Sequence, residues 1–350
     1  MPPLDIALGR RVRLARLAQG MSQTELASRC GVSRQAVAGI EAGEWTPSLK
    51  VALRLGEALQ RSVEQLFGDA ELDRELRVQE LDEPAGPSGR ALLAEVFGRL
   101  VAVPQEGSLA AVAGFGPASC RLQGAGSARG AVPHDRCLLV AGCDPALPLL
   151  AEGLAATGSE LRLIWWPCGS GRALALMRAG LVHAAGVHAQ TACLPAHAGQ
   201  AAFGFAGWRE GIAHRRDQPV ASLGEALDRG LRLANREEGS EARQLLDRHL
   251  QGLGARAVPG YESHYRGHLP VASAIADYGA DFGVATEPAA LALGLGFIGL
   301  SEETSFLLVA DDRLGSGELT ALLNALAHPL LERQLSSLPG YDTSILGASL

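Results

Sequence analysis

Two groupings in this 350-residue sequence could do chemistry. The first is Ser33-Arg34-Gln35, which opens a segment with helically spaced apolar residues. A guanidinium offers paired donors and a carboxamide one donor and one acceptor. Arg34 and Gln35 can therefore each grip a planar polar edge, such as that of guanine or adenine. The second grouping is a pair of glycine-serine turns, Cys168-Gly169-Ser170-Gly171 and Asn235-Arg236-Glu-Glu-Gly239-Ser240-Glu-Ala-Arg243. Each follows an apolar run and opens a helical pattern. Backbone N–H groups and a serine hydroxyl at such a helix start attract an anion. Arg243, on the first turn, could fold back over the same anion. His188 and His268 stand at comparable ends of predicted strands and helices. For each of these residues an ordinary cap or a structural hydrogen bond is the plainer alternative. No His/Cys set has zinc-site spacing, since Cys137 and Cys143 are six apart without partners. No nucleophile-base set is recognisable either, so the chain does not read as an enzyme.

The elements that must hold Ser33-Arg34-Gln35 are legible. Ser22-x-x-Glu25 is a capping box for one helix, and Cys30-Gly31-Val32 ends it, with Gly31 suited to a left-handed turn. Ser33 caps a second helix, with Val37 and Ile40 on its apolar side. Two short helices about a glycine turn form a helix-turn-helix pattern, whose second helix enters a DNA major groove. A helix over Arg10–Ala18 precedes it; Leu49–Leu59 and a last turn at Val63–Phe67 follow. Residues 6–67 resemble the Xre/Cro-like DNA-binding domain. The matching residues include Gly20-Met21-Ser22-Gln23, Glu25-Leu26-Ala27, Gly31-Val32-Ser33, Ile40-Glu41, Gly43, Pro47, Ala58-Leu59 and Leu66-Phe67. The resemblance implies that Gln23 contacts phosphate and braces the recognition helix, while Ser33, Arg34, Gln35 and Ala38 face the bases. Gly39, one turn on, has no side chain to read with, so few base contacts per head are expected.

Charge divides along the chain. Residues 1–67 hold nine basic against six acidic residues, and the remainder 22 against 32. A basic head on an acidic body fits one DNA-binding module joined to something that avoids DNA. No apolar run reaches the ~18 residues of a membrane span, and no signal peptide is recognisable. A cytoplasmic location, with reduced cysteines, is expected. Residues 68–135 read as a linker: a charged segment over Gly68–Glu83 with weak helical anchors at Leu72, Leu76, Val78 and Leu81 comes first. Short strands over Leu92–Val103 and Leu109–Phe115 follow, then a loop over Gly124–Gly130.

From Arg136 strand and helix patterns alternate, which implies a parallel or mixed sheet covered on both faces. Gly142-Cys-Asp144-Pro-Ala-Leu147, Ala184-Ala-Gly-Val-His188, Asn235-Arg236…Gly239-Ser240…Arg243, His268-Leu-Pro-Val-Ala-Ser-Ala-Ile-Ala276 and Gly279-Ala-Asp-Phe-Gly283 follow in order. Together they resemble the periplasmic-binding-protein-like domain related to molybdate-binding proteins. The resemblance covers about residues 136–345. It implies a multidomain chain: an all-α helix-turn-helix head plus a two-lobed α/β type II body over 136–350. One lobe would be about 136–188 plus 295–340 and the other 190–290. Asp144, Ser170, Gly171, His188, Asn235, Arg236, Ser240, Arg243 and His268 would line the ligand cleft. The family's Gly-Ser-Gly-Thr-Arg is Gly239-Ser240-Glu241-Ala242-Arg243 here, and its hydroxyl residue before the histidine is Gly267. With those ligands lost, Trp165, Trp166, Trp208, Tyr261 and Tyr265 could line a larger cleft for an organic ligand.

The combined reading is a one-component regulator acting as a homodimer on double-stranded operator DNA. It senses a small effector, with molybdate, tungstate or a molybdenum-cofactor-related compound as candidates, and needs no other cofactor or metal. Two alternatives stay open: a molybdenum-cofactor enzyme carrying its own repressor head, and a ligand-free dimerisation scaffold with a redox switch at Cys137, Cys143 or Cys168.

Overall fold

The computed structural model describes residues 6–67, 74–81, 88–107, 109–110, 116–131, 135–190, 199–254 and 257–350. The chain divides into two compact units, residues 1–75 with 129–131 and residues 76–128 with 132–350.

The head contains helices α1 (Ile6–Ala18), α2 (Gln23–Cys30), α3 (Arg34–Glu41), α4 (Leu49–Leu59) and α5 (Val63–Phe67). The start and stop residues act as the sequence implies. Ser22 and Glu25 form the reciprocal capping box, Gly31 takes the left-handed conformation at φ 63°, and the Ser33 hydroxyl accepts from Ala36 N. Val12, Leu26, Val37, Ile40, Leu55 and Leu59 make the core. One buried ion pair crosses it: Arg16 Nε donates to Glu41 Oε1 at 2.6 Å and Arg16 Nη2 to Oε2 at 3.0 Å. A third Arg16 donor reaches Met21 O at 2.7 Å.

The expected linker is a sheet. Its strands are β1 (Arg74–Arg77), β2 (Gln79–Glu80), β3 (Arg90–Val96), β4 (Arg99–Pro104), β5 (Cys120–Gly124) and β6 (Ser127–Gly130). The helix expected over Gly68–Glu83 is thus corrected in its described part, and β6 replaces part of the loop expected over Gly124–Gly130. Leu76 and Val78 alternate with Glu75, Arg77 and Gln79, and this period of two places both against one apolar cluster. The run Leu109–Phe115 falls largely outside the described residues. β3 and β4 pair antiparallel with Leu92 opposite Val103 and Leu93 opposite Ala102. Leu92, Ala94, Val101 and Val103 then face the main core of the body, while Ala91, Leu93 and Ala102 face a small core of their own.

Among the described residues the body is built on eight further strands: β7 (Cys137–Gly142), β8 (Arg162–Trp166), β9 (Ala184–Gln190), β10 (Gln200–His214), β11 (Leu233–Arg236), β12 (His264–Tyr265), β13 (Phe282–Thr286) and β14 (Gly296–Ala310). They form one sheet in the order β12-β11-β13-β10-β14-β9-β7-β8. β7 is buried along its length, with Leu138 and Val140 in one core and Cys137, Leu139 and Ala141 in the other. Both faces are covered, as a parallel strand of this kind requires. The helices are α6 (Leu150–Ala156), α7 (Ser170–Arg178), α8 (Leu223–Asp228), α9 (Glu241–Gly252), α10 (His268–Ala276), α11 (Glu287–Ala292), α12 (Gly317–Leu326) and α13 (Pro329–Ser336). The last has Pro329 at its first turn, a start signal.

β10 and β14 join the two halves of this sheet. They run antiparallel from Gln200–Ala310 to His214–Gly296, with register shifts between Gly204 and Ala206 and between Glu210 and Gly211. β14 pairs with β9 over Glu303–Leu308, and β10 pairs with β13 over Glu210–His214. The halves therefore change over inside these two strands rather than near residues 190 and 295. Arg209-Glu210 and Glu302-Glu303 interrupt the apolar pattern of both strands, which hides their length in the sequence.

Candidate functional site

Where the two halves of the body sheet face each other there is a cavity of about 730 Å³. The first half contributes Cys143, Trp165, Trp166, Cys168, Gly169 and Arg172 to its wall, and the second contributes Glu237, Ser240, Arg266 and His268. Three helices of eight residues or more begin at this wall: α7 at Gly169–Ser170, α9 at Ser240 and α10 at Gly267–His268. Gly169 and Gly267 provide no side-chain cap. Converging helix N-termini make a region of positive potential suited to an anionic group. Gly267 sits at φ 100°, a conformation open to glycine and strained for serine or threonine. A hydroxyl-bearing residue at this position would be strained in this backbone.

The expected ligand residues divide. Gly171, Ser240 and His268 line this cavity. The Ser240 hydroxyl accepts from Arg243 N and donates to Glu237 O, as an ordinary cap would. The Ser170 hydroxyl accepts from His188 N at 3.3 Å. Asn235 is turned inward, donating to Tyr261 O and accepting from Arg236 N. Asp144 is buried; its Oδ1 accepts from Ala146 N and from the Tyr341 hydroxyl, and burial raises its carboxyl above the usual range. Arg236 is clamped by Glu237 through two bonds of 2.8 and 2.9 Å and points Nη1 at His268 Nδ1, 3.0 Å away.

Arg243 requires correction. It is not in the cavity wall: its guanidinium lies 4.1 Å from the Tyr261 ring centroid, donates to Arg236 O and pairs with Asp247. Tyr261 holds the same Asp247 through a 2.8 Å bond. Arg243 thus supports Arg236 from behind. Arg243→Ala is expected to lower the body's stability by about 1–3 kcal/mol, the cost of a lost charge-assisted bond with its buried acceptor left over. An unchanged denaturation midpoint would refute this role.

Trp165 and Trp166 line the cavity, whereas Trp208 packs beside His188 and Tyr341, and Tyr265 packs into the second half's core.

Next to the cavity lies a cluster that linear spacing did not reveal. Ligand-type atoms of Cys143, His188 and His268 lie within 4.8 Å of one another, and so do those of His188, Glu210 and Glu303. His188, Glu210 and Glu303 line a second cavity of about 310 Å³. His188 Nδ1 is 3.2 Å from Glu303 Oε2, and its Nε2 is 3.0 Å from Glu241 Oε2. The added carboxylate of Glu241 therefore meets a histidine of the other half. Burial alone would lower His188, but Cys143, Glu303 and Glu210 hold it well above the usual imidazole range. Burial pushes Glu210 up to about 7, with Glu303 and Glu241 adding to the rise while His188 and Arg236 oppose it. Burial, Arg236 and His188 keep His268 well below its usual value, hence neutral. The 3.8 Å approach of His268 to Glu210 is accordingly not an ion pair.

On the head, Ser33, Arg34 and Gln35 are exposed at the start of α3, and Ala38 is half-buried. Gln23 Nε2 donates to Glu41 Oε2 at 2.9 Å, tying α2 to the end of α3. Gly39 is not on the exposed face. A β-carbon there would lie 2.7 Å from the Trp45 ring, so glycine is required by packing. Its lack of a side chain says nothing about base reading, contrary to the sequence expectation.

Known proteins divide in the same way. Residues 151–327 match the family described as a PBP superfamily domain, and residues 12–66 match the helix-turn-helix family. An uncharacterised HTH-type transcriptional regulator of Methanothermobacter thermautotrophicus is 42% identical over 57 residues, covering 16% of this chain and 83% of that one. The restriction-modification controller protein C.AhdI of Aeromonas hydrophila is 39% identical, over 18% of this chain and 94% of its own, with a TM-score of 0.17. An ABC-type phosphate transport receptor of Vibrio cholerae covers 59% of this chain and 98% of its own, at 14% identity and a TM-score of 0.41.

Proposed function

We propose that this chain, which belongs to the PBP superfamily and carries a helix-turn-helix head, is a one-component transcription regulator. The head binds operator DNA as part of a homodimer, and the body senses a small organic ligand with an anionic group. The carrying observation is the cavity of about 730 Å³ walled by both halves of the body, on which three helix N-termini converge. That volume falls in the range of small-molecule sites. Its aromatic and proline wall (Trp165, Trp166, Pro145, Pro167 and Pro270) favours a ligand with an apolar part over a bare tetrahedral oxyanion. No helix among the described residues is long and apolar enough to cross a membrane.

A ligand closing the two halves changes DNA affinity only if it binds the DNA-competent and incompetent states unequally. The test is a thermal-shift screen of carboxylates, phosphate esters, molybdate and tungstate on the full chain. Hits are then assayed for a shift in operator affinity. An organic anion is expected to raise the body's melting temperature and move the DNA-binding curve; molybdate alone doing so would overturn the organic reading. No response to any anion would overturn the sensing role.

A further inference from the structure

We infer that Cys143, His188, His268 and Glu210 form a binding site for a divalent transition-metal ion of the zinc class, placed between the two halves of the body. The three donors Cys143, His188 and His268 lie mutually within 4.8 Å. A tetrahedral zinc site with bonds of ~2.0–2.3 Å separates its ligand atoms by ~3.3–3.8 Å, so about 1 Å of closure brings these three donors to that spacing. Glu210 is 1% exposed, and its Oε1, 3.8 Å from His268 Nδ1, has no hydrogen-bond partner among the described residues. A buried carboxylate oxygen left unpaired is costly, and a cation relieves that cost.

The chemistry of the donors agrees. A thiolate, a carboxylate and two neutral imidazoles match zinc in ligand type, and their charge of −2 cancels that of the ion. The support is also present. Glu303 sits 3.2 Å from His188 Nδ1 and itself accepts from the Ser301 hydroxyl at 2.8 Å. This carboxylate-to-histidine arrangement orients a ligating ring and leaves Nε2 for the metal. The group a metal would displace is Arg236 Nη1 on His268; Arg236 keeps its two bonds to Glu237. Glu241, the other neighbour of His188 Nε2, has a side chain 42% exposed and can swing into water.

The placement gives the ion a role. Cys143 follows β7 and His188 lies in β9, both in the first half; His268 opens α10 in the second; Glu210 sits at a register shift of the crossing strand β10. Cys143 and His268 line the larger cavity, while His188 and Glu210 line the smaller. A bound ion would thus join the halves at the partition between the cavities, as an effector distinct from the organic anion.

The test loads the full chain, stripped with chelator, with Co²⁺ as an optical probe and Zn²⁺ for affinity. One ion per chain is expected, with a thiolate-to-cobalt charge-transfer band and a rise in the body's melting temperature. Cys143→Ser should abolish the band, and His268→Gln should weaken zinc by at least the ~10–100-fold that loss of even an outer partner costs. Cys168→Ser should leave both unchanged. The inference fails if no charge-transfer band forms, or if Cys168→Ser rather than Cys143→Ser removes it. Metal-free circular dichroism of each variant separates lost binding from lost folding. An anion response without a cobalt band would sink this site and leave the proposed function standing.

Discussion

Glu41→Ala unfolds the head and with it abolishes DNA binding. Glu41 is 9% exposed and takes two bonds from Arg16 and one from Gln23. Removing the carboxylate leaves the Arg16 guanidinium buried without its charge partner, and breaking such a pair costs about 3–5 kcal/mol. A core of this size supplies roughly the same amount, so little stability remains. The measurement is the head's thermal transition by circular dichroism in wild type and variant; a transition within about 0.5 kcal/mol of wild type would refute the account. The pH dependence has a definite sign. Burial pushes the Glu41 carboxyl up from 4.5, but the bonds from Arg16 and Gln23 and the charge of Arg16 outweigh it and hold it lower. A carboxyl depressed in the folded state stabilises fully above its unfolded pKa and loses that contribution as pH falls through the folded one. Head stability should therefore fall on acidification below about pH 4.5, and Glu41→Gln should flatten that slope while starting from a lower plateau.

The second large effect is Arg34→Ala with Gln35→Ala. Both side chains are exposed at the start of α3, and neither belongs to the core, so the fold should survive. A bidentate base contact is worth about 1–3 kcal/mol, so two per head amount to roughly 2–6 kcal/mol, or about 30-fold to 10⁴-fold in affinity for each head engaged. The comparison is a gel shift on a duplex selected by the wild-type chain from a random pool, with circular dichroism to verify the fold. Equal affinity would remove these two residues from the DNA-reading surface. A loss identical on specific and random DNA would assign them to phosphate contact instead.

The head was legible almost residue by residue because its signals are local. A cap satisfies donors two or three residues away, and a left-handed glycine ends the helix in which it lies. Ser22, Glu25, Gly31 and Ser33 each act within one turn of their position. Gly39 escaped because its requirement comes from Trp45, outside the helix. In the body, strand identity was legible and strand length was not. Glu210 and Glu303 read as interruptions of β10 and β14, although both are buried inside them. Glu241 stands in the second glycine-serine turn along the chain; in the fold it meets His188.

The sequence by itself determined the helix-turn-helix, the alternating strand and helix order, and the turns that start α7 and α9, because these depend on backbone donors and apolar spacing over a few residues. Only the tertiary structure decided which side chains meet. Cys143, His188, Glu210 and His268 are 45, 22 and 58 residues apart along the chain, too far for any spacing rule, yet β7, β9, β10 and α10 bring them to one place. It also turned Arg243 and Asn235 inward. The physical reason is that a buried polar group must find a partner, and that partner is chosen by packing in three dimensions rather than by order along the chain.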